Sequence, residues 1–181
     1  MLNRQFMAQR ESPSILAAIS LGSNQGHSLE ILGAALRCLG QTPGIQVLRC
    51  SPWYPTQAVG PPQPDYWNGC VLVSVTLGPE DLLAALRHIE TQFGRQRSLH
   101  WGPRTLDLDL LLYGDRVMET PHLELPHPRL HERAFVLVPL ADIFPEGWHP
   151  VLNQSIAQLV HQVDCRGVNR AGRVAAAVDA L

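Results

Sequence analysis

Trp101-Gly102-Pro103-Arg104-Thr105-Leu106-Asp107-Leu108-Asp109 is the stretch that decides how this chain reads. Gly102-Pro103 marks a turn, and the strict polar–apolar alternation after it has the period of a half-buried strand. In extended backbone, residues i and i+2 share a face. Asp107 and Asp109 therefore aim side by side, roughly 6.5–7 Å apart at Cα, with Thr105 beside them. Leu106, Leu108 and Leu110 point the other way, into a core. The carboxylate face continues as Leu111 and Tyr113, so the strand is polar only at its beginning, as a site is and a wetted face is not. Paired carboxylates suit a hard divalent cation, and Mg²⁺ typically takes one or two of them together with substrate phosphates. A solvated strand face is the plainer source of such alternation. Arg95, Arg97 and Arg104 just upstream favour the metal–phosphate reading, because cations keep carboxylates ionised and offer forks to phosphate oxygens.

Outward from this strand, the other elements fall into a regular order. Ile15 to Leu21 is an apolar run ending at the turn Gly22-Ser23-Asn24. Leu29 to Leu39 has helical spacing (Leu29, Leu32, Leu36, Leu39) and is closed by Gly40 and Pro43. Ile45 to Trp53 reads as a second strand, Pro55 to Tyr66 as a proline-rich loop, and Trp67 to Leu77 as a third strand. A helix follows through Phe93, with Pro79 in its first turn and acids beside it. Thr105 to Tyr113 is the fourth strand, and Arg133–Ile143 and Leu152–Val163 read as helices. The order β-α-β-β-α-β predicts a ferredoxin-like α+β sandwich with additional C-terminal helices, two helices on one face of the sheet and the other face open to ligands. The expected domain spans residues 15–163. It follows an N-terminal extension, 1–14, and precedes a Gly/Ala/Arg-rich tail, 164–181, of weak helical potential and no assignable chemistry.

Composition narrows the chemistry. The 181 residues suffice for one domain with a real core. All 14 basic residues are arginine. Without lysine there is no Walker-A loop, kinase-type lysine or Schiff-base lysine, so any phosphate must be held by arginine, histidine, backbone N–H or metal. A net charge of -2 argues against a general nucleic-acid binder. The polar start lacks a secretory h-region, and no apolar run approaches the roughly 20 residues of a membrane span. The four cysteines show no CxxC pairing, as in a reduced, cytoplasmic protein.

Three further segments carry candidate chemistry. His127 and His131, with His122 nearby, have a spacing that invites zinc. They lack a cysteine pair or H-E-x-x-H, and Pro128 interrupts any helix, so His127 and Arg133 serve better as polyphosphate donors. Trp101 on its loop suits stacking on a flat ligand. Asn68 offers a donor and an acceptor to an amide-like heterocycle edge, against the plainer reading of the loop before it as a stiff connector.

The Trp101–Asp109 motif resembles the signature of the 6-hydroxymethyl-7,8-dihydropterin pyrophosphokinases of the folate pathway. Ile19-Ser20-Leu21-Gly22-Ser23-Asn24 is similar to that family's first strand, and Gln63-Pro64-Asp65-Tyr66-Trp67-Asn68 to its pterin loop. Ile89-Glu90 and Gly94-Arg95-Gln96-Arg97 resemble its helix end and loop. Pro126-His127-Pro128 through Arg133-Ala134-Phe135 resembles its later ATP segment. The likeness covers roughly Ile15 to Pro150. It implies that Asp107 and Asp109 bind two Mg²⁺ ions bridging the phosphates of ATP. Arg95, Arg97, Arg104, His127 and Arg133 would hold the triphosphate, with Glu90 assisting at the nucleotide. Tyr66 and Phe135 would sandwich the pterin, Asn68 would bond its edge, Thr56 and Val59 would complete the pocket, and Trp101 would close over the site. The implied reaction is diphosphate transfer from ATP to 6-hydroxymethyl-7,8-dihydropterin, by a cytoplasmic monomer with no nucleic-acid or membrane partner. Departures from the family pattern are Gln57, Ser98, Pro128 and an Arg95–Trp101 loop about one residue short. A Mg-dependent nucleotide hydrolase and a nucleotide- or RNA-binding ferredoxin-like module are the alternatives.

Overall fold

The structure, a computed structural model, describes residues 13–58, 62–94 and 103–176. Strand β1 (Ile15–Ser23) forms the middle of the sheet because it is apolar on both faces: Ala17, Ala18, Ile19 and Leu21 are all buried. Helix α1 (Ser28–Gln41) and strand β2 (Ile45–Cys50) follow, then strands β3 (Tyr54–Thr56) and β4 (Tyr66–Val75), helix α2 (Pro79–Gln92) and strand β5 (Asp107–Tyr113). The main path of the sheet runs β2-β4-β1-β5, all antiparallel, with β3 continuing beside β4. This is the expected ferredoxin-like arrangement. Among the described residues, no helix is long and apolar enough to cross a membrane.

One face is covered as predicted. Leu32, Ala35, Leu36 and Leu39 of α1 and Leu82, Leu86 and Ile89 of α2 pack on Ile19, Leu21, Val71, Val73, Leu108 and Leu110. The second face is only partly open. After two short strands, β6 (Met118–Glu119) and β7 (Glu124–Leu125), and a tight turn over Leu130–Glu132, helix α3 (Ala134–Ile143) lies across it. Val136, Leu137 and Leu140 of α3 pack on Ala18, Cys70, Leu72, Leu111 and Leu112. The expectation of a wholly open face is therefore corrected: those sheet residues are apolar, and α3, apolar nearly all round, supplies their cover. The uncovered end carries Ser20, Gly22, Asn68, Asp107 and Asp109.

Four local expectations also change. A bulge between β1 and β5 sets Ile19 opposite Leu110 but Ala18 opposite Leu112. The extra residue reverses the alternation beyond it, so Tyr113 does not continue the carboxylate face. It joins the core under α1 and α2 and donates its hydroxyl to the Leu77 carbonyl at 2.6 Å. The second strand ends at Cys50, before Pro52, and β3 occupies the start of the segment read as a loop. The helix read from Leu152 is shorter. A hairpin of β8 (Trp148–His149) and β9 (Gln154–Ser155) precedes it, and α4 (Ile156–Val160) starts only at the reciprocal Ser155–Gln158 cap. Finally, the described tail is not helical but a series of turns with two isolated bridges, Thr56 with Val168 and Trp53 with Val174.

Candidate active site

The site is a row across the sheet. Gly22 of β1 stands opposite Asn68 of β4 on one side and Asp107 of β5 on the other; Ser20 stands opposite Asp109. Gly22 leaves room for the Asn68 amide, because a Cβ there would lie 2.6 Å from the Asn68 Oδ1. Above the row opens a cleft of about 450 Å³ whose walls include Thr56, Tyr66, Asn68, Arg104, Asp107, Asp109, Arg133 and Phe135. The strand period thus delivers both aspartates to one cavity, as their spacing predicts.

Each carboxylate meets a cation. Arg104 Nη1 donates to Asp107 Oδ1 at 2.6 Å. Arg133 Nη1 donates to Asp109 Oδ2 at 3.3 Å, and His127 Nε2 lies 3.8 Å from the same oxygen. Burial, followed by the charge of Asp107, raises the Asp109 carboxyl above its usual range, while His127, Arg133 and Arg104 pull it down. Burial lowers His127, against the opposing pull of Asp109. Two like charges are thus held close in a half-desolvated cleft, an arrangement that a divalent cation relieves.

The donor set also fits such an ion. Among the described residues, no group of three or more His, Cys, Asp or Glu could hold a metal by itself. Two carboxylates facing a cavity leave the remaining positions to water and phosphate oxygens, which is how Mg²⁺ is usually held.

Asn24 is the residue that the sequence reading missed. It is 5% exposed. Its Oδ1 accepts the Arg104 N–H at 2.8 Å, and its own N–H donates to the Arg104 carbonyl at 3.1 Å. Its Nδ2 donates to Gln63 Oε1 and the Pro64 carbonyl, both at 3.0 Å. One amide therefore ties the Arg104 turn to the loop leading into Tyr66. An asparagine closing a strand-to-helix turn was the available signal, but such residues usually serve their own turn.

Other predicted residues are placed as follows. Asn68 donates through Nδ2 to Thr56 Oγ1 at 2.5 Å. The Arg133 guanidinium carbon lies 5.7 Å from the Phe135 ring centroid. Glu90 is 2% exposed and does not line the cleft; its Oε1 accepts the Leu108 N–H at 2.7 Å, fixing the strand between the two aspartates. His127 reaches Asp109 but faces a second hollow with His131 and His149. Gln57 lines the cleft. Val59, Arg95, Arg97, Ser98 and Trp101 lie outside the described residues. Asp164, Gly167 and Val168 of the tail also line the cleft, which the sequence reading did not foresee.

Residues 18–145 match the family model of 7,8-dihydro-6-hydroxymethylpterin-pyrophosphokinase (HPPK). The chain belongs to this family. A relative from Synechocystis sp., named 2-amino-4-hydroxy-6-hydroxymethyldihydropteridine pyrophosphokinase, is 52% identical over 152 residues, covering 84% of this chain and 78% of its own. The Haemophilus influenzae protein of the same name is 41% identical over 149 residues, covering 82% and 92%. The fold is similar to Plasmodium falciparum HPPK-DHPS solved with pterin and p-hydroxybenzoate, at a TM-score of 0.68 and 17% identity. That match covers 84% of this chain but only 44% of the longer one. HPPK membership decides for the pyrophosphokinase over the nucleotide hydrolase and the RNA-binding module.

Proposed function

We propose that the Asp107–Asp109 cleft transfers the diphosphate of ATP to the hydroxymethyl group of 6-hydroxymethyl-7,8-dihydropterin, for folate biosynthesis. The observation that carries this reading is one cavity in which a carboxylate pair with arginine partners adjoins Tyr66, Asn68 and Phe135, in a chain of the HPPK family. The pterin hydroxymethyl oxygen attacks the β-phosphorus of ATP, the bond from that phosphorus to the α,β-bridging oxygen breaks, and AMP leaves.

Asp107 and Asp109 would hold two Mg²⁺ ions, which when bound would supply charge neutralisation at the phosphates. Arg104, Arg133 and His127, with Arg95 and Arg97, hold the triphosphate. Tyr66 and Phe135 sandwich the pterin ring. Asn68, held by Thr56, bonds the ring edge, while Val59 and Trp101 complete and cover the pocket. Glu90 serves the nucleotide indirectly, by fixing the backbone between the aspartates. Phosphoryl transfer asks mainly for positioning and charge neutralisation, which these groups supply without a covalent step. The chain works as a cytoplasmic monomer.

Incubation with ATP, Mg²⁺ and the reduced pterin tests this. AMP formed only in the presence of pterin is the expected result. ADP, or turnover independent of pterin, would replace the reading with nucleotide hydrolysis.

A further inference from the structure

We propose that the C-terminal segment Asp164–Val174 is a strap that positions the pterin: it walls one side of the cleft and fixes β3, and through β3 the Thr56–Asn68 pair. This deepens the pyrophosphokinase reading and rests on it. The segment lies beyond residues 18–145, the span of the family match.

Strand β3 has two edges. Tyr54 and Thr56 pair with Asn68 and Tyr66 of β4 on one. Trp53, Pro55 and Gln57 turn their backbone groups to the tail on the other. Trp53 and Val174 exchange both N–H···O bonds, at 2.7 and 2.9 Å. Asn169 N–H donates to the Pro55 carbonyl, and Gln57 N–H to the Gly167 carbonyl, both at 3.0 Å. A three-residue edge strand is weak alone; with the tail it becomes an inner strand.

The tail is itself locked. Asn169 Oδ1 accepts from the N–H groups of Ala171 and Gly172, both at 3.1 Å, turning the chain between its two contact points. Gly172 packs so close that a Cβ there would lie 3.0 Å from Pro55 Cγ. Arg173 donates to the Tyr54 hydroxyl at 3.4 Å, and that buried hydroxyl donates in turn to Asp142 of α3.

The consequence falls on one substrate. Gly167 and Val168 line the cleft together with Thr56, whose Oγ1 accepts the Asn68 Nδ2. Removing the strap frees β3, lets the Thr56 hydroxyl drift and admits water beside Asn68. Asp107 and Asp109 hang from β5, and Arg104 is clamped by Asn24, so the triphosphate end keeps its supports.

The test compares KM for pterin and for ATP in the wild-type chain, a chain ending at Val163, and full-length Asn169→Pro. The proline removes the N–H given to Pro55 and the side chain that shapes the turn. Pterin KM is expected to rise about tenfold in the shortened chain and at least about threefold in Asn169→Pro, the loss of one or two well-aligned hydrogen bonds. ATP KM should stay within about twofold. Amide hydrogen exchange at Trp53, Tyr54 and Gln57 should accelerate in both variants. If the shortened chain does not fold, Asn169→Pro decides. Unchanged pterin KM, a parallel rise in both KM values, or unchanged exchange protection overturns the strap. Wild-type protein lacking pterin-dependent AMP formation overturns the activity reading instead, and the exchange measurement still judges the strap.

Discussion

Gly22→Ala separates ring recognition from folding more cleanly than any substitution of a polar residue. The new Cβ would sit 2.6 Å from Asn68 Oδ1, and ordinary contact begins near 3.4 Å, so the amide must retreat by about 0.8 Å. The obstacle is the end of a side chain rather than backbone, so the amide swings and the sheet survives. The swing breaks the bond from Asn68 Nδ2 to Thr56 Oγ1. That loss costs about 1 kcal/mol net, and a displaced rotamer adds about 0.5–1.5 kcal/mol. Replacing glycine inside a strand returns about 0.5–1 kcal/mol of backbone entropy. The net destabilisation is about 1 kcal/mol, or about 2–4 °C in Tm for a chain of this size. Pterin recognition suffers more. Two hydrogen bonds from the Asn68 edge, at about 0.5–1.5 kcal/mol each, correspond to a loss of about 5–150-fold in affinity. Pterin binding measured by calorimetry with a non-hydrolysable ATP analogue present, beside a thermal melt, reads both quantities. In an Asn68→Ala background the same glycine substitution should change little further, because its target is gone. A Gly22→Ala enzyme with wild-type pterin affinity, or additive losses in the double variant, would refute the argument.

Glu90→Ala leaves the Leu108 N–H unpaired in the core and should cost about 1–3 kcal/mol. Glu90→Gln keeps an acceptor oxygen and should melt close to wild type; equal losses in both would show that the Leu108 contact is not what Glu90 supplies. Burial pushes the Cys50 thiol up to about 12 and the Cys70 thiol well above its usual value. Both should therefore stay unmodified by a thiol-disulfide reagent at about pH 8 and react once the protein is unfolded. The linked stability is intact below the ordinary thiol range, near pH 8.5. It falls as pH rises through that range, because the unfolded chain releases these protons first. Denaturant midpoints measured from about pH 7 to pH 10 check the sign.

What could be read from the sequence followed local periodicity. The alternation from Thr105 to Leu110 placed both aspartates correctly. The apolar spacing of Leu32, Leu36 and Leu39 located α1 to within two residues at its C-terminal end. Features set by partners distant in the chain left no periodic trace. In Leu110-Leu111-Leu112 nothing local marks a bulge, since the same side chain suits both faces; only the register with β1 decides it. β3 hides among prolines because Pro55 needs only its carbonyl there. The tail's pairing joins Val168 and Val174 to residues more than a hundred positions away. At the site, motif residues were legible because their chemistry is unusual. The contacts of Asn24 with Arg104 and of Glu90 with the Leu108 N–H were not, because both are made to backbone groups that any sequence has.

Asp107 and Asp109 are expected to hold together the metal on which diphosphate transfer depends. Turnover of ATP and reduced pterin to AMP, followed at saturating Mg²⁺ for wild type, Asp107→Asn and Asp109→Asn, tests it most directly. Metal-assisted charge stabilisation is worth several kcal/mol. Each variant should therefore lose at least about a hundredfold in kcat, while its melting curve stays cooperative. Near-wild-type AMP formation in either folded variant would contradict the account.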